Sequence, residues 1–409
     1  MSQRDMIDKL RSMIRDMEQA RPADASSLGP LKLPPVPRLG PPGSVRDVAP
    51  SSCSVTDGEH FRLIEASFSC GMPEELKMPS GGALPAFRSL EPRLPGLDGW
   101  LYLDIETTGL MGAATVAFLV GFGEWVGREF VVTQLFLRDR SEEEFLMEEV
   151  GRRIAGRNTL VTFNGKAFDV PLLWGRFAVC GMRPPAPPPA HLDLLSLVRN
   201  LGRRPQYGQS LKEAVRRFTG AVRDGDIPGH LIPALYFIYE RDGDPSILDP
   251  VVKHNRLDIL DMACLVSVLC HVVAGEDAVS DCHALGGAGK LHLRKGNLDL
   301  AKRCLTAALA KAPHFEGSET VEQNRLLGHV LRKQGDFVGA AEAFAKVVAS
   351  GEAKDEDYLW LARCYELGAC DIGKSREVVA SAIARHEARG TEPPPSLLRR
   401  MRRLDSKTS

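Results

Sequence analysis

Asp104 and Glu106 stand two residues apart at the close of the apolar run LYLDIETTGL. If that run is a strand, its period of two puts both carboxylates on one face. Paired like charges raise each other's pKa and weaken a fold unless a cation satisfies them, so the chemistry this pair offers is cation binding. Thr107, Thr108 and Gly109 follow as a tight turn of small residues, which lets a ligand come near the backbone. A second cluster is TLVTFNGKAFDVPLL, where a strand ends, Asn164 follows, and Asp169 comes five residues later in the first turn of a helix. A carboxylate there also suits the helix dipole alone. The third is VVKHNRLDILDMACLVSVL, an amphipathic helix on which His254 and Asp258, four apart, share a face. Such a pair is equally at home on a plain surface. Asp193 in HLDLL reads as a supporting or folding residue, and Asp261, one turn past Asp258, as a cap or a solvent-facing acid.

The elements that must position these residues are legible in outline. GWLYLDIE, ATVAFLVGFGEW and EFVVTQLFL are rich in β-branched and aromatic residues and separated by glycines, the pattern of successive antiparallel strands. Ser141 then opens SEEEFLMEEVGRRI, where a capping serine and early glutamates mark a helix start. TLVTF gives a fourth strand, about 167–179 a helix, HLDL a short fifth strand after the proline-rich PPAPPPA, and the rest to residue 274 is mainly helix. The order βββαβαβα predicts an α/β domain over residues 56–275, a mixed five-stranded sheet with flanking helices. That is the order of a ribonuclease-H-like sheet, an analogy of fold that by itself licenses no function.

From about residue 280 the composition turns to Ala, Leu, Gly and Lys, and a repeat appears. GKLHLRKGNLDLAKRCLTAALAKAP aligns with GHVLRKQGDFVGAAEAFAKVVAS at an offset of 39 residues, matching Gly289 with Gly328, Gly296 with Gly335 and Ala301 with Ala340. A third, less regular copy begins at YLWLARCYELG. Small residues at these places let paired helices approach, so residues 280–388 resemble a short tetratricopeptide array. The tail over 389–409 contains SLLRRMRRLDSK, a final capping helix or a small basic patch. At the other end, apolar residues at 6, 10, 13, 14 and 17 predict a short amphipathic helix over 1–21. Residues 22–55 hold eight prolines up to Pro50 with no aromatic anchor in that stretch, and read as a flexible linker.

Composition excludes some classes outright. With 409 residues, 44% of them hydrophobic and 26% charged, the chain is neither collagen-like nor wholly disordered, and its length suits two or three domains. The 52 basic and 53 acidic residues leave a net charge of -1, so a nucleic-acid partner has to be argued from a local site. Nine cysteines without a C-x-x-C pair fit a reducing cytosol, and the charged N-terminus lacks a signal peptide's apolar core. The best apolar run, ATVAFLVGF, is about half of the roughly 20 residues a membrane span needs, so a cytoplasmic chain without a membrane partner is expected.

At the three clusters the sequence closely resembles the DEDD superfamily of exonucleases: D-x-E on the first strand, N-x-x-x-F-D opening a helix, and a His upstream of a final helical Asp. More narrowly, HLDLLSLVRNL, SLKEAVRRFTG, RDGDIPGHLIPALYFIYERDGDPSIL and HNRLDIL look like the YprB-type predicted exonucleases, which join a ribonuclease-H-like domain to tetratricopeptide repeats. The resemblance covers about residues 56–385. It implies that Asp104, Glu106, Asp169 and Asp258 hold two Mg²⁺ or Mn²⁺ ions for hydrolysis of phosphodiester bonds from a 3′ end, with His254 as general base. One departure stands out: three residues separate His254 from Asp258, the spacing of the superfamily's Tyr subtype.

The resemblance also implies substrate contacts. Thr107, Thr108, Gly109 and Leu110 match the segment that holds the terminal 3′ hydroxyl and packs under the end base, and Asn164 matches a position beside the scissile phosphate. Arg199, Arg203, Arg204, Lys212, Arg216, Arg217 and Arg223 make one stretch locally basic, with Arg223 the preferred phosphate contact. The expected substrate is single-stranded DNA or RNA, with a protein partner on the repeats. Two further readings stay open: a catalytically silent scaffold, and an endonuclease that uses the same metals on structured nucleic acid.

Overall fold

The structure, a computed structural model, describes residues 50–68, 83–90, 94–97, 99–109, 112, 114–202, 209–223, 226–276, 282–311 and 318–408. The helix expected over 1–21, nearly all of 22–55, and Leu110, Arg203 and Arg204 lie outside these.

Seven strands form one sheet: β1 (Ser52–Asp57), β2 (Arg62–Phe68), β3 (Trp100–Thr107), β4 (Ala117–Val126), β5 (Glu129–Phe136), β6 (Thr159–Thr162) and β7 (Ala190–Asp193), in the spatial order β1-β2-β5-β4-β3-β6-β7. The meander β3-β4-β5 is antiparallel, and β6 and β7 add in parallel beyond β3. The expectation of five strands is corrected by the hairpin β1-β2, which extends the sheet from β5. β2 alternates buried and half-buried positions as RLIEASF zips along β5, but β1 is exposed at every residue and so carries no apolar run for sequence reading to catch. β1 also begins at Ser52, inside the span read as linker.

Between β2 and β3 lies helix α1 (Ala83–Leu90). After β5, Asp139 caps a 3-10 turn by accepting the Ser141 N–H at 2.8 Å, and α2 (Glu143–Ile154) follows. The cap is therefore the aspartate, not Ser141 as expected. Next come α3 (Asp169–Val179), α4 (Leu194–Asn200), α5 (Leu211–Thr219), α6 (Ile232–Asp242) and α7 (Asp249–Ala274). Leu101, Leu103, Phe118, Val120 and Leu135 of the sheet meet Leu146 and Val150 of α2, Phe177 of α3 and Tyr236 of α6 in a continuous core. Residues 245–274 are, among those described, one helical stretch long and apolar enough to cross a membrane, which the sequence reading did not anticipate. With 83% of the apolar window buried inside the protein, this is the pattern of a core helix.

The described residues divide into two compact units, one holding the sheet and the chain through Val268, the other Leu269–Ser409 with Pro79–Pro92 and Arg199–Arg203. The second is helical: α8 (Cys282–Lys295), α9 (Leu298–Ala310), α10 (Ser318–Lys333), α11 (Phe337–Ala349), α12 (Asp355–Gly368), α13 (Ile372–Ala388) and α14 (Pro395–Thr408), each packed on the next. Two helix pairs are built alike. A Cβ on Gly289 would come within 2.5 Å of Leu305, and one on Gly328 within 2.8 Å of Phe344, residues that match at the same offset as the glycines. Gly296 and Gly335 turn the chain at φ 82° and 84°, and at the next pair Cys370 makes the turn at φ 52°.

Candidate active site

The site is built on β3, where Asp104 and Glu106 project from the same face. Asp104 lies opposite Gly121 of β4, and Gly121 opposite Gln134 of β5, so these three form one row across the sheet. Helix α7 crosses that row closely because Gly121 has no side chain: a Cβ there would stand 2.2 Å from the Asn255 Oδ1. Asn255 is fully buried in the gap. It accepts from Gln134 Nε2 at 2.8 Å and donates to the Asp104 Oδ2 at 2.8 Å and its carbonyl oxygen at 3.2 Å. The row thus fixes both Asp104 and the height of α7 over the sheet.

With α7 seated, His254 and Asp258 reach the acids of β3. His254 Nε2 stands 3.9 Å from Glu106 Oε1 and 3.6 Å from Asp258 Oδ2. Its other nitrogen, Nδ1, is 2.7 Å from Asp226, whose side chain is only 2% exposed. Asp169, the first residue of α3, completes the group at 6% exposure. Burial pushes the Asp104 carboxyl well above its usual range, and Asp258, Glu106 and Asp169 add like-charge repulsion. Burial raises Glu106 to about 8 although His254 pulls it down, and raises Asp169 to about 7 against hydrogen bonds from its own N–H and that of Ile105. These mutual repulsions join the four acids in one electrostatic cluster drawn from β3, α3 and α7.

Two basic side chains, Arg223 and His254, lie among these acids. The Arg223 guanidinium reaches Asp258 at 2.5 Å and Asp226 at 3.1 Å, and pairs with Asp261 as well. Its side chain is 6% exposed, so it is turned onto carboxylates rather than toward an open phosphate track, and Asp261 is a buried ion-pair partner rather than the solvent-facing acid expected. Burial opposes the charge on His254, yet Asp226, Asp258 and Glu106 together raise its pKa above the ordinary value. Lys212 reaches Asp226 at 3.3 Å, Arg216 reaches Glu213 at 3.8 Å, and Arg217 is buried at 7% exposure against Phe218.

The flanking turns are held by local bonds. The β3-β4 register shifts between Glu106 and Thr107, and Thr108 and Val116 exchange two hydrogen bonds of 3.0 Å that anchor the turn carrying Gly109. Asn164 is exposed in a left-handed conformation at φ 69°. Asp193 at the end of β7 holds that turn, accepting the Asn164, Lys166 and Leu195 N–H groups at 2.9, 3.2 and 3.1 Å. Sequence reasoning missed Gln134, Asn255 and Asp226. The available signal was the pair of strand glycines in LVGFGEW, which marks close approach of another element to the sheet.

Chemically, the four acids are hard oxygen donors of the kind Mg²⁺ and Mn²⁺ take, and burial holds the proton affinity of Asp104, Glu106 and Asp169 above the usual carboxylate range. Among the described residues no three His, Cys, Asp or Glu side chains close into a ready-made ligand cage, so the cluster is open.

Residues 101–270 match the family model described as the RNase_H superfamily, and the chain carries a ribonuclease-H-like domain followed by a helical region. Over 288 residues the chain is 27% identical to the uncharacterized protein YprB of Bacillus subtilis (strain 168), covering 69% of this chain and 68% of that protein. Among solved structures it is similar to the family B DNA polymerase of the hyperthermophilic archaeon Pyrobaculum calidifontis, at TM-score 0.35 and 15% identity. That similarity covers 57% of this chain and 29% of the polymerase chain.

Proposed function

We propose that the chain is a metal-dependent 3′-5′ exonuclease that hydrolyses phosphodiester bonds of single-stranded nucleic acid. The observation that carries this reading is the gathering of Asp104, Glu106, Asp169 and Asp258 from three separate elements into one cluster, with Glu106 and Asp258 beside the His254 imidazole. A sheet end gains nothing in stability from such a cluster, whereas a phosphodiesterase needs it. The four acids would hold two Mg²⁺ or Mn²⁺ ions, which supply an activated nucleophile and neutralise charge on the phosphate.

The chain's own residues do the rest. Asp226 accepts the Nδ1 proton of neutral His254, which leaves Nε2 as the basic nitrogen facing Glu106 and Asp258. From there Nε2 takes a proton from the attacking water. Arg223 neutralises one oxygen of Asp258, and Asn255 orients Asp104. Thr107, Thr108 and Gly109 form the anchored turn that would receive the terminal 3′ hydroxyl, beside exposed Asn164 for the phosphate. We read the helical unit as tetratricopeptide-like, a reading supported by its matched glycines and turns, and as a surface for partners.

The test is degradation of 5′-labelled single-stranded DNA and RNA by the full chain with Mg²⁺, Mn²⁺ or EDTA, beside Asp104→Asn. A metal-dependent ladder that vanishes in the variant supports the reading and ranks the two substrates. A single internal cut means an endonuclease. No hydrolysis by a folded chain moves the function to a scaffold.

A further inference from the structure

The helical unit carries a face on which Arg332, Arg363, Arg400, Arg403 and Lys407 outnumber the carboxylates among them, Glu356 and Glu366. On α12, Trp360, Arg363 and Leu367 follow one another at spacings of three and four and so form one stripe. Arg332 from α10 lies over the Trp360 ring at 3.7 Å, and Arg363 at 5.5 Å. From α14, Arg400 and Arg403 reach Glu366, one residue before Leu367.

Three features set this face apart from an ordinary solvated helix surface. Arg363 is exposed and has no carboxylate partner among the described residues. Leu367 is 48% exposed at the end of the stripe, a large apolar side chain left in water. The arginines also repel one another. Arg400, Arg403 and Lys407 share the single Glu366, and burial lowers the pKa of Arg332 and of Arg400, with Arg363 lowering both further against the pull of Glu356 and Glu366.

We infer that this face binds a single-stranded nucleic acid, with a phosphate on Arg363, others drawn by the excess of cations around Glu366, and bases against the Trp360–Leu367 stripe. Arginine forks match phosphate oxygens in pairs, and guanidinium planes and indole rings are surfaces on which bases stack. An acidic peptide would use the charges but leave the planar surfaces without purpose. The inference does not depend on the hydrolytic reading, because a chain with no nuclease activity would bind in the same way.

The experiment is binding of a fluorescent 20-residue oligothymidylate or oligouridylate to the full chain in EDTA, by anisotropy across a range of salt. Wild type is compared with Arg363→Glu and Leu367→Glu, both at exposed positions, each checked by thermal melting. The expected result is binding that weakens steeply with salt, with a Kd about tenfold higher in Arg363→Glu and a salt slope smaller by about one. Leu367→Glu is expected to weaken binding several-fold at every salt concentration. Unchanged affinity and slope in both variants would overturn the proposal, as would failure of the wild type to bind either oligonucleotide. So would an Arg363-dependent complex with a polyglutamate peptide that the oligonucleotides cannot displace.

Discussion

Asn255 donates to both the side chain and the backbone carbonyl of Asp104, at 2.8 and 3.2 Å, from a position that exists only because residue 121 is a glycine. The first acid of the site and the helix that carries His254 and Asp258 are therefore set by one contact. Electrostatic preorganisation of this kind depends on the supporting shell as much as on the acids.

Replacing Gly121 by alanine tests that dependence. The new methyl would stand 2.2 Å from the Asn255 Oδ1, so α7 must lift or Asn255 must swing away from Asp104. Overpacking of this sort costs about 1–3 kcal/mol. Gly121→Ala is expected to lose that much stability in urea titrations and most of its metal-dependent hydrolysis. Gly175→Ala, on α3 where a Cβ meets nothing within 4 Å, is the control and should stabilise by up to about 1 kcal/mol. If Gly121→Ala matched wild type in both assays, the account of how α7 is seated would be wrong.

The acids make a second prediction, on pH. Folding raises Glu106 from 4.5 to about 8 and Asp169 from 3.8 to about 7. Between about pH 4 and pH 8 the folded metal-free chain thus keeps protons that the unfolded chain has released, and its stability falls as pH rises through that window. His254 acts in the same direction: its raised pKa contributes stability fully present below 6.5 and lost as pH climbs through the folded value. The melting temperature in EDTA should decline from pH 5 to pH 8.5, and Glu106→Gln should flatten the decline. Mn²⁺ at about a hundred times its Kd should restore about 2.7 kcal/mol, most visibly at high pH. A flat profile that Mn²⁺ does not alter would remove the metal-binding role from these carboxylates.

Residues that announce themselves by type and spacing are legible in the sequence alone. Asp104 and Glu106 sit at a strand end, Asp169 opens a helix, and His254 and Asp258 lie one turn apart, because strand and helix periods alone fix those relations. The supporting set is not. Asn255 is an ordinary polar residue within a helix, Gln134 one within a strand, and Asp226 one within a loop; their meaning comes from elements distant in sequence. Arg223 shows the limit from the other side. Its family-like context suggested substrate, but charge gives no sign of direction, and the side chain is enclosed by Asp226, Asp258 and Asp261. The hairpin β1-β2 escaped for want of an apolar run in β1.

Asn164 separates backbone from side-chain function. Its φ of 69° is a left-handed conformation that costs an ordinary residue roughly 1–2 kcal/mol, whereas glycine adopts it freely. Asn164→Gly is expected to keep wild-type stability, and Asn164→Ala to lose about 1 kcal/mol. If the amide touches the scissile phosphate, both variants should lose about tenfold in kcat/KM. Full activity in Asn164→Gly would assign the residue to the turn alone.

His254 bears on the reaction through Asp226. The carboxylate, 2% exposed, sits 2.7 Å from Nδ1 and is itself held by Arg223 at 3.1 Å and Lys212 at 3.3 Å, so the imidazole has one favoured orientation. In Asp226→Asn the amide can donate as well as accept, and the preference for a proton on Nδ1 is lost. A general base in the wrong tautomer forfeits much of the 10²–10⁴-fold that proton transfer supplies, so kcat is expected to fall about 100-fold with KM unchanged. Nitrogen chemical shifts of His254 give a readout independent of turnover: wild type should show the Nδ1–H tautomer, and Asp226→Asn a mixture. Asp226→Glu, which keeps an acceptor-only group, should recover part of the activity. Wild-type kcat in Asp226→Asn together with unaltered His254 shifts would show that this contact neither orients the ring nor serves the chemistry.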